Sequence, residues 1–241
     1  MNTVNAAVIF AGGTGSRMNS RSRPKQFLEL HGKPILVYTL EAFEEHPEID
    51  AVILAVLEDW IPYCRELIGK YGLKKVCAVV PGGETALASQ RRGLARAAEL
   101  FALDSVVLIH DGVRPLVAQE TISRNIACVK AHGNAITVTP AIETITLKRG
   151  KGEVGRIIDR SKALMARAPQ SFVLRDILDA HRRAEEENRE FIDSASLMQH
   201  YGHRLHTVEG TPENIKITTP ADYYIFRALV DAREDSQIFG I

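Results

Sequence analysis

Short runs of apolar, often β-branched residues alternate along most of this chain with longer segments in which apolar residues recur every three or four positions. The first pattern predicts β-strands and the second predicts amphipathic helices. Alternation of the two is typical of βαβ units, in which helices connect parallel strands and cover both faces of a sheet. The sequence therefore predicts an α/β fold with a Rossmann-like, doubly wound and mostly parallel sheet.

The predicted elements follow one another in a regular order. The predicted strands are NAAVIF, DAVILAV, KVCAVV, SVVLIH and NAITVTP, with RLHTVEG and NIKIT near the end of the sequence. The predicted helices are PILVYTLEAFEEH, WIPYCRELIGKY, ASQRRGLARAAELFA, QETISRNIACVKAH and TPADYYIFRALVDA. The segment at about 142–169 departs from this rhythm, because residues rich in Thr and Ile surround a Gly-Lys-Gly turn. We predict a single domain over residues 1–241 with an inserted extended β-arm at about 142–169.

The charge balance limits the partners of the chain. Lys and Arg together number 30, as do Asp and Glu, so the formal net charge is zero. A neutral chain has no overall field that attracts nucleic acid or an anionic membrane. No apolar run approaches the roughly 20 residues that cross a bilayer, and the first residues lack the basic region of a signal peptide. We expect no nucleic-acid or membrane partner and a cytoplasmic location.

A glycine-rich segment, AGGTGSRMNSRSRPKQ, follows the first predicted strand. In a doubly wound sheet this position lies at the carboxyl ends of the strands, where such folds bind ligands. The segment contains no Walker A motif, and Met18 occupies the last glycine position of the dinucleotide fingerprint. Its backbone N–H groups can face phosphate oxygens, while Arg17 offers a planar guanidinium and Lys25 a point charge. These features predict a nucleotide or phosphate site, with a solvated basic turn as the alternative.

Two further segments supply charges to the same predicted edge of the sheet. VVLIHDGVRP ends an apolar strand in Asp111 and Arg114. Mg²⁺ prefers oxygen ligands and often takes one or two carboxylates together with substrate phosphates, so Asp111 is a candidate metal ligand. An Asp–Arg pair in a turn is the alternative. In NIKIT, strand alternation points Lys216 away from Ile215 and Ile217, and makes it a second candidate phosphate clamp.

Several segments together resemble a known enzyme family over essentially the whole chain. The segments are AGGTGSRMNSRSRPKQFLELHGKPILVYTLEAF, PGGETALASQRRGL, HDGVRP, APQSF and ENIKITTP. Their order and spacing resemble the cytidylyltransferases that make CDP-alcohols from CTP and a polyol phosphate. The Gly12-Gly13 pair, the Asp59-Trp60 pair and HDGVRP resemble the ribitol-5-phosphate branch of that family. FIDSASLMQHYG instead resembles the 2-C-methyl-D-erythritol 4-phosphate branch of isoprenoid synthesis, so both acceptors stay open.

The resemblance implies an activity and a set of site residues. The fold would be of the nucleotidyltransferase type, and CMP would pass from CTP to a polyol phosphate with Mg²⁺ or another divalent cation as cofactor. The catalytic residues implied are Arg17, Lys25 and Lys216, and the metal ligand implied is Asp111. The nucleotide-binding residues implied are Ala11, Gly12, Gly13, Thr14, Gly15, Gly82, Gly83 and Ser89. The acceptor-binding residues implied are Asp111, Arg114, Thr144 and Arg160. The last two would come from the arm of the partner chain in a homodimer.

Three positions depart from the pattern of that family. Ala86 and Ala88 stand where an arginine and an aspartate are usual, and Ala168 stands where a threonine is usual. These departures bear on nucleotide contacts and on the hydroxyl that would meet the acceptor phosphate. They leave a non-catalytic nucleotide-binding regulator as an alternative function. A dehydrogenase is disfavoured, since the dinucleotide fingerprint is incomplete.

Overall fold

The computed structural model describes residues 1–13 and 23–239, with side chains described as far as residue 235. Within these residues the chain forms a main sheet and two small hairpins. The strands of the main sheet are β1 (Asn5–Ala11), β4 (Ala51–Val56), β5 (Val76–Pro81), β6 (Val106–Asp111), β7 (Asn134–Pro140), β10 (Leu164–Val173) and β11 (Thr207–Glu209). The hairpin strands are β2 (Glu29–Leu30) with β3 (Lys33–Pro34), and β8 (Thr146–Gly150) with β9 (Glu153–Ile157).

The main sheet is mostly parallel, as the sequence predicts. Its strand order is β11-β7-β10-β6-β1-β4-β5. Strand β1 pairs in parallel with β4 and β6, and the pairs β4–β5 and β7–β11 are also parallel. Strand β10 runs antiparallel to both of its neighbours, β6 and β7. The carboxyl ends of the six parallel strands therefore share one edge, and the amino-terminal part of β10 lies at that same edge.

Helices cover both faces of this sheet. They are α1 (Ile35–Glu44), α2 (Ile61–Lys70), α3 (Ala86–Leu100), α4 (Gln119–His132), α5 (Leu174–Glu186), α6 (Ser194–His200) and α7 (Pro220–Phe239). Ile9 packs with residues of α1, α2 and α4, whereas Val8 packs with residues of α3, α5 and α6. Successive strand residues point to opposite faces, so a strand covered on both faces must be apolar throughout. This explains the unbroken apolar runs in the sequence and confirms the doubly wound prediction.

Two helices that border the carboxyl edge of the sheet begin with side-chain caps. Thr85 Oγ1 accepts the N–H of Ala88 at 3.1 Å and starts α3. Asp193 Oδ1 accepts the N–H of Ser196 at 2.9 Å, and Ser196 Oγ receives the N–H of Asp193 in return at 3.2 Å. Such reciprocal bonds satisfy donors that the first turn of a helix leaves unpaired. The caps fix where α3 and α6 start relative to the strand ends.

Two sequence predictions concern the later part of the chain. The segment NIKIT, predicted as a strand, forms none in the structure: Ile217 is buried and its N–H bonds to the carbonyl oxygen of Val113 at 2.9 Å. That bond joins the segment to the loop after β6 rather than to a sheet edge. In the predicted arm, the residues of the β8–β9 hairpin are exposed, and the chain rejoins the main sheet at Leu164. The division into one domain and an arm stays a prediction.

Among the described residues, no helix combines the length and the apolar character that crossing a bilayer requires. The location of the protein stays a prediction.

Candidate active site

Two glycine loops meet at the carboxyl edge of the sheet. Gly12 follows β1, and Gly82 and Gly83 follow β5. A side chain added at Gly12 would place its Cβ 2.7 Å from Ser89 Oγ, and one added at Gly82 would lie 3.1 Å from the same atom. Since real Cβ atoms rarely approach so closely, only glycine lets the two loops pack around Ser89. The structure thus brings together Gly12, Gly82, Gly83 and Ser89 of the predicted nucleotide-binding residues.

Ser89 holds the second loop in place. It is buried in the first turn of α3, where its Oγ accepts the N–H of Gly83 at 3.0 Å and lies 3.0 Å from the carbonyl oxygen of Thr85. Ala11 is the last residue of β1, and Gly13 is exposed, with no atom of the described residues within 4 Å of where its Cβ would lie. The other predicted residues of the first loop, Thr14, Gly15 and Arg17, lie outside the described residues.

Lys25 lies in a short 3-10 helix, Lys25–Phe27, which is tied to the end of β1. The tie is made by Gln26, whose buried side-chain amide donates to the carbonyl oxygen of Ala11 at 2.7 Å. Phe27 anchors the same turn, because its ring is fully buried and stacks on Trp60 with ring centroids 4.5 Å apart. The predicted catalytic lysine is therefore carried by a turn fixed at the edge of the sheet. Sequence reasoning did not single out Gln26.

Asp111, Arg114 and Lys216 form one cluster of charges. Lys216 Nζ lies 2.5 Å from Asp111 Oδ1, and Arg114 Nε donates to Asp111 Oδ2 at 2.8 Å. Asp111 and Arg114 are buried, whereas 38% of the Lys216 side chain is exposed. Residues predicted from two distant segments of the sequence thus meet around a single carboxylate. The ammonium group of Lys216 is held in place but remains accessible.

The charges of this cluster determine how its members ionise. Burial acts to raise the pKa of Asp111, but the positive charges of Lys216 and Arg114 outweigh burial and lower that pKa to about 2. Burial lowers the pKa of the neighbouring His110 to about 4. At neutral pH the cluster therefore holds an ionised aspartate next to a neutral imidazole.

Backbone and side-chain bonds support the turn that carries this cluster. His110 Nε2 lies 3.0 Å from the carbonyl oxygen of Arg114, so the neutral ring carries its proton on that nitrogen. Arg114 Nη1 donates to the backbone carbonyl oxygen of Asn214 at 2.9 Å. The side-chain amide of Asn214 donates to the backbone carbonyl oxygen of Ala168 at 2.6 Å. The turn after β6, the segment before Lys216 and strand β10 are thus joined. Neither His110 nor Asn214 was predicted as a site residue, although both lie in the segments HDGVRP and ENIKITTP.

The cluster faces a cavity of about 140 Å³. The charged side chains of its lining are Asp111, Arg114, Arg167, Asp193 and Lys216. The neutral residues of its lining include Phe10, Ala86, Gln90, Ala168 and Gln170. The cavity therefore opens between the end of β6, the amino-terminal part of β10 and the first turns of α3 and α6. Arg167 is a lining cation that sequence reasoning missed, and its only signal was its place just before APQSF.

Thr144 and Arg160 lie elsewhere in the chain. Both are exposed, and neither lines this cavity. Arg160 Nη1 donates to the carbonyl oxygen of Ile142 at 2.9 Å, within the predicted arm. The structure of one chain therefore does not bring these two predicted acceptor-binding residues to Asp111. Their role stays a prediction about the arm of a second chain.

One group of three candidate metal ligands exists among the described residues, and it is not at Asp111. His31 Nε2 lies 3.2 Å from Asp231 Oδ1, and His31 Nδ1 lies 3.6 Å from Glu234 Oε1. Two of these three residues are exposed, and the group joins the β2–β3 turn to α7. Each ring nitrogen already faces a carboxylate. The group gives no reason to place a metal there.

The chain has relatives among known protein families and curated proteins. A model of the 2-C-methyl-D-erythritol 4-phosphate cytidylyltransferase family matches residues 5–232. The chain belongs to this cytidylyltransferase family. It is 52% identical to a ribitol-5-phosphate cytidylyltransferase of Vibrio parahaemolyticus over 98% of this chain and 100% of that protein. It is 49% identical to a ribitol-5-phosphate cytidylyltransferase of Streptococcus agalactiae, over 99% of this chain and 100% of that protein. A 2-C-methyl-D-erythritol 4-phosphate cytidylyltransferase of Clostridium botulinum is 37% identical over 94% and 97%.

Solved structures of cytidylyltransferases share the fold. A 4-diphosphocytidyl-2C-methyl-D-erythritol synthase of Anaerococcus prevotii superposes with a TM-score of 0.81 at 25% identity, over 95% of this chain and 96% of the other. The 2-C-methyl-D-erythritol 4-phosphate cytidylyltransferase of Thermus thermophilus gives a TM-score of 0.75 at 29% identity, over 93% and 98%. Both comparisons confirm the predicted nucleotidyltransferase type of α/β fold. Membership of a cytidylyltransferase family makes the chain an enzyme and sets aside both the regulator and the dehydrogenase.

Proposed function

We propose that this cytidylyltransferase transfers CMP from CTP to D-ribitol 5-phosphate, giving CDP-ribitol and pyrophosphate. The observation that carries the proposal is the Asp111, Arg114 and Lys216 cluster, which lines a cavity at the same sheet edge as the glycine loops. Such a site offers positive charge and backbone N–H groups to phosphates. The choice of ribitol is supported by relatives named for that acceptor at 52% and 49% identity, against 37% for the methylerythritol branch.

The reaction that we propose needs no nucleophile from the protein. An oxygen of the acceptor phosphate attacks the α-phosphorus of CTP, and the bond to the bridging oxygen of the β-phosphate breaks as pyrophosphate leaves. Catalysis then depends on positioning and on neutralising charge. Lys216, held by Asp111 at 2.5 Å, would offset charge on the α-phosphate without reorganising. Lys25 and Arg17 would act on the triphosphate side.

The glycine loops would bind the nucleotide. Gly12 and Gly82 leave no room for a side chain next to Ser89, and a glycine backbone, which has no side chain, can approach a ligand closely. Gly83 is held by Ser89, and its neighbours Ala86 and Ala88 begin α3. The arginine and aspartate usual in that turn are replaced by methyl groups. Nucleotide recognition would therefore rely on the loop backbone more than on side chains from the start of α3.

Asp111 fits a role as ligand of Mg²⁺ or another divalent cation. Its pKa of about 2 keeps it ionised, and each of its oxygens has a second lone pair beside the bond to Lys216 or Arg114. Asp193, the other carboxylate of the cavity, is occupied as the cap of α6. A bound cation would neutralise charge on the phosphates, with one protein carboxylate and substrate oxygens as ligands.

We also propose a homodimer formed through the arm. Apolar side chains of this region are exposed in the single chain, with Ile142 at 80%, Val154 at 64% and Ile157 at 64%. Large exposed apolar side chains grouped in one segment are typical of a protein interface. In such a dimer Thr144 and Arg160 of one chain would reach the acceptor side of the site of its partner.

A second acceptor is a specific alternative. The family match and the solved relatives are named for 2-C-methyl-D-erythritol 4-phosphate, which is also a small polyol phosphate. The two acceptors present the same phosphate to the same cluster and differ in their carbon chains. The chemistry proposed above therefore holds for either acceptor.

Pyrophosphate release tests the proposal directly. The enzyme is assayed with CTP, Mg²⁺ and one of three acceptors: D-ribitol 5-phosphate, 2-C-methyl-D-erythritol 4-phosphate or glycerol 3-phosphate. We expect the highest kcat/KM with ribitol 5-phosphate and a loss of at least ~100-fold in Lys216→Ala. Lys70→Ala, at an exposed position on α2, is the matched control and keeps wild-type turnover. Turnover with methylerythritol phosphate alone would assign the chain to the other branch, and no turnover with any acceptor would refute the proposal.

A further inference from the structure

We propose that Arg167 binds the phosphate monoester of the acceptor, together with Arg114, and so helps to select and orient the attacking substrate. This inference rests on the proposed function, because the acceptor phosphate is the nucleophile there. Arg167 lines the cavity that also contains Asp111, Arg114 and Lys216. The cavity walls supply four observations that support the assignment.

The first observation is the balance of charge around the cavity. Its lining carries the cations Arg114, Arg167 and Lys216 and the carboxylates Asp111 and Asp193. Asp111 is shared by Arg114 and Lys216, and Asp193 accepts from the backbone of Ser196 and from the amide of Gln170 at 2.8 Å. Within the described residues, no carboxylate lies within ion-pair distance of Arg167. The cavity therefore has a positive charge without a counter-ion, as expected of a site for an anion.

The second observation is the placement of the side chain. The pairing of β10 with β7 shifts register between Ala166 and Gln170, so Arg167 belongs to a bulge in the strand. Bulges beside active sites often turn a side chain toward a ligand. Arg167 Nε donates to Thr139 Oγ1 at 3.3 Å, which fixes the base of the guanidinium. In the part of the chain that the structure describes, its two terminal nitrogens have no hydrogen-bond partner and form a fork that fits two phosphate oxygens.

The third observation is the proximity of a second guanidinium. Burial lowers the pKa of Arg167, and the positive charge of Arg114 lowers it further. Two like charges this close repel each other, and an anion between them relieves the repulsion. A phosphate monoester, with a charge near −2 at neutral pH, supplies more of that relief than a carboxylate does.

The fourth observation is the size and lining of the cavity. At about 140 Å³ it holds the equivalent of roughly five water molecules, which suits one phosphate group with the rest of the acceptor extending outward. Ala168 contributes only a methyl group there, and its carbonyl oxygen is occupied by Asn214. Arg167, the residue before Ala168, supplies a charged hydrogen-bond donor to the same cavity.

The test compares two substitutions at Arg167 with one at a distant arginine. Arg167→Gln removes the charge, and Arg167→Lys keeps the charge without the planar fork. Arg175→Gln is the control, because Arg175 is exposed and pairs with Asp104 at the surface. We expect Arg167→Gln to raise the KM for ribitol 5-phosphate ~10- to 100-fold, with the KM for CTP within about twofold of wild type. Arg167→Lys should give a KM for ribitol 5-phosphate between those of wild type and Arg167→Gln. Arg175→Gln should give the wild-type KM. A rise confined to the KM for CTP, or no change in either KM, would overturn the inference.

A binding measurement separates this inference from the proposed function. Inorganic phosphate is titrated into each variant without CTP and followed by calorimetry. Weaker phosphate binding in Arg167→Gln than in Arg175→Gln supports the anion site even if no acceptor turns over, a case that would refute only the proposed function. Equal phosphate binding in all variants, together with unchanged acceptor KM values, would refute the anion site while leaving the proposed function intact.

Discussion

Replacing Asp111 with asparagine should remove a pH-dependent part of the stability of the protein. Burial raises the pKa of this carboxyl, but Lys216 and Arg114 lower it to about 2 from an ordinary value of 3.8. That difference corresponds to about 2 kcal/mol of unfolding free energy. Because the pKa in the folded state lies below that in the unfolded state, the stabilisation is fully present above about pH 4. It is lost as the pH falls toward 2.

The prediction is checked by urea unfolding of wild type and Asp111→Asn at pH values from 7 to 3. Asparagine does not titrate, so the gap between the two proteins reports the ionisation of Asp111. We expect the gap to narrow by about 1 kcal/mol between pH 7 and pH 3, with most of that change below pH 4, because at pH 3 the carboxyl of the folded state is still mostly ionised. Asp104→Asn is the control: its exposed pair with Arg175 should give a gap below ~1 kcal/mol throughout. A gap for Asp111→Asn that is equal at pH 7 and pH 3 would show that the cluster does not hold the carboxylate as described.

Four further predictions concern other parts of the molecule. Lys25→Ala should cut turnover by orders of magnitude while leaving the thermal unfolding midpoint unchanged; near-normal turnover would remove Lys25 from the mechanism. Gly12→Ala should weaken CTP binding measured by calorimetry, since its Cβ would lie 2.7 Å from Ser89 Oγ, and Ser89→Ala in the same chain should restore part of it. Burial lowers the pKa of His181 to about 4, so stability should fall by about 3 kcal/mol between pH 6.5 and pH 4, and His181→Leu should flatten that dependence in urea unfolding. Ile157→Asp should shift sedimentation toward monomer and lower activity at low protein concentration; an unchanged dimer would exclude this residue from the interface.

Much of the fold could be predicted because each strand carries its own signal. The strands β1, β4, β6 and β7 are largely buried on both faces, so their apolar runs are continuous and unmistakable. Lys216 shows where this reasoning fails. Alternation of polar and apolar residues in NIKIT suggested a strand. The segment is instead held to the loop after β6 by isolated hydrogen bonds, such as the one from the N–H of Ile217 to the carbonyl oxygen of Val113. Alternation of polar and apolar residue types does not require a neighbouring strand.

Site residues could be predicted where a motif directly follows a parallel strand. They could not be predicted where the antiparallel strand β10 enters the sheet. Asp111 and Arg114 follow a strong strand, so their place at the edge of the sheet could be inferred. Arg167 depends on the antiparallel insertion of β10 between β6 and β7 and on a bulge in that strand. Neither the antiparallel direction nor the bulge leaves a periodic signal in the sequence. Gln26 likewise acts through one bond to the backbone of β1.

The pairing of β7 with β10 makes the arm a loop that leaves the main sheet and returns to it at the same place. Pro140, where the chain leaves β7, lies opposite Leu164, where it returns in β10. The ends of the intervening segment are therefore held together by the sheet itself, so changing the length or sequence of that segment adds little loop-closure cost. Replacing the segment between Pro140 and Leu164 with a different one would change the surface that the arm presents to a neighbouring chain. The glycine loops of the same chain would be unaffected. If the proposed homodimer forms, acceptor contacts from the partner's arm could therefore vary without altering the glycine loops proposed to bind the nucleotide.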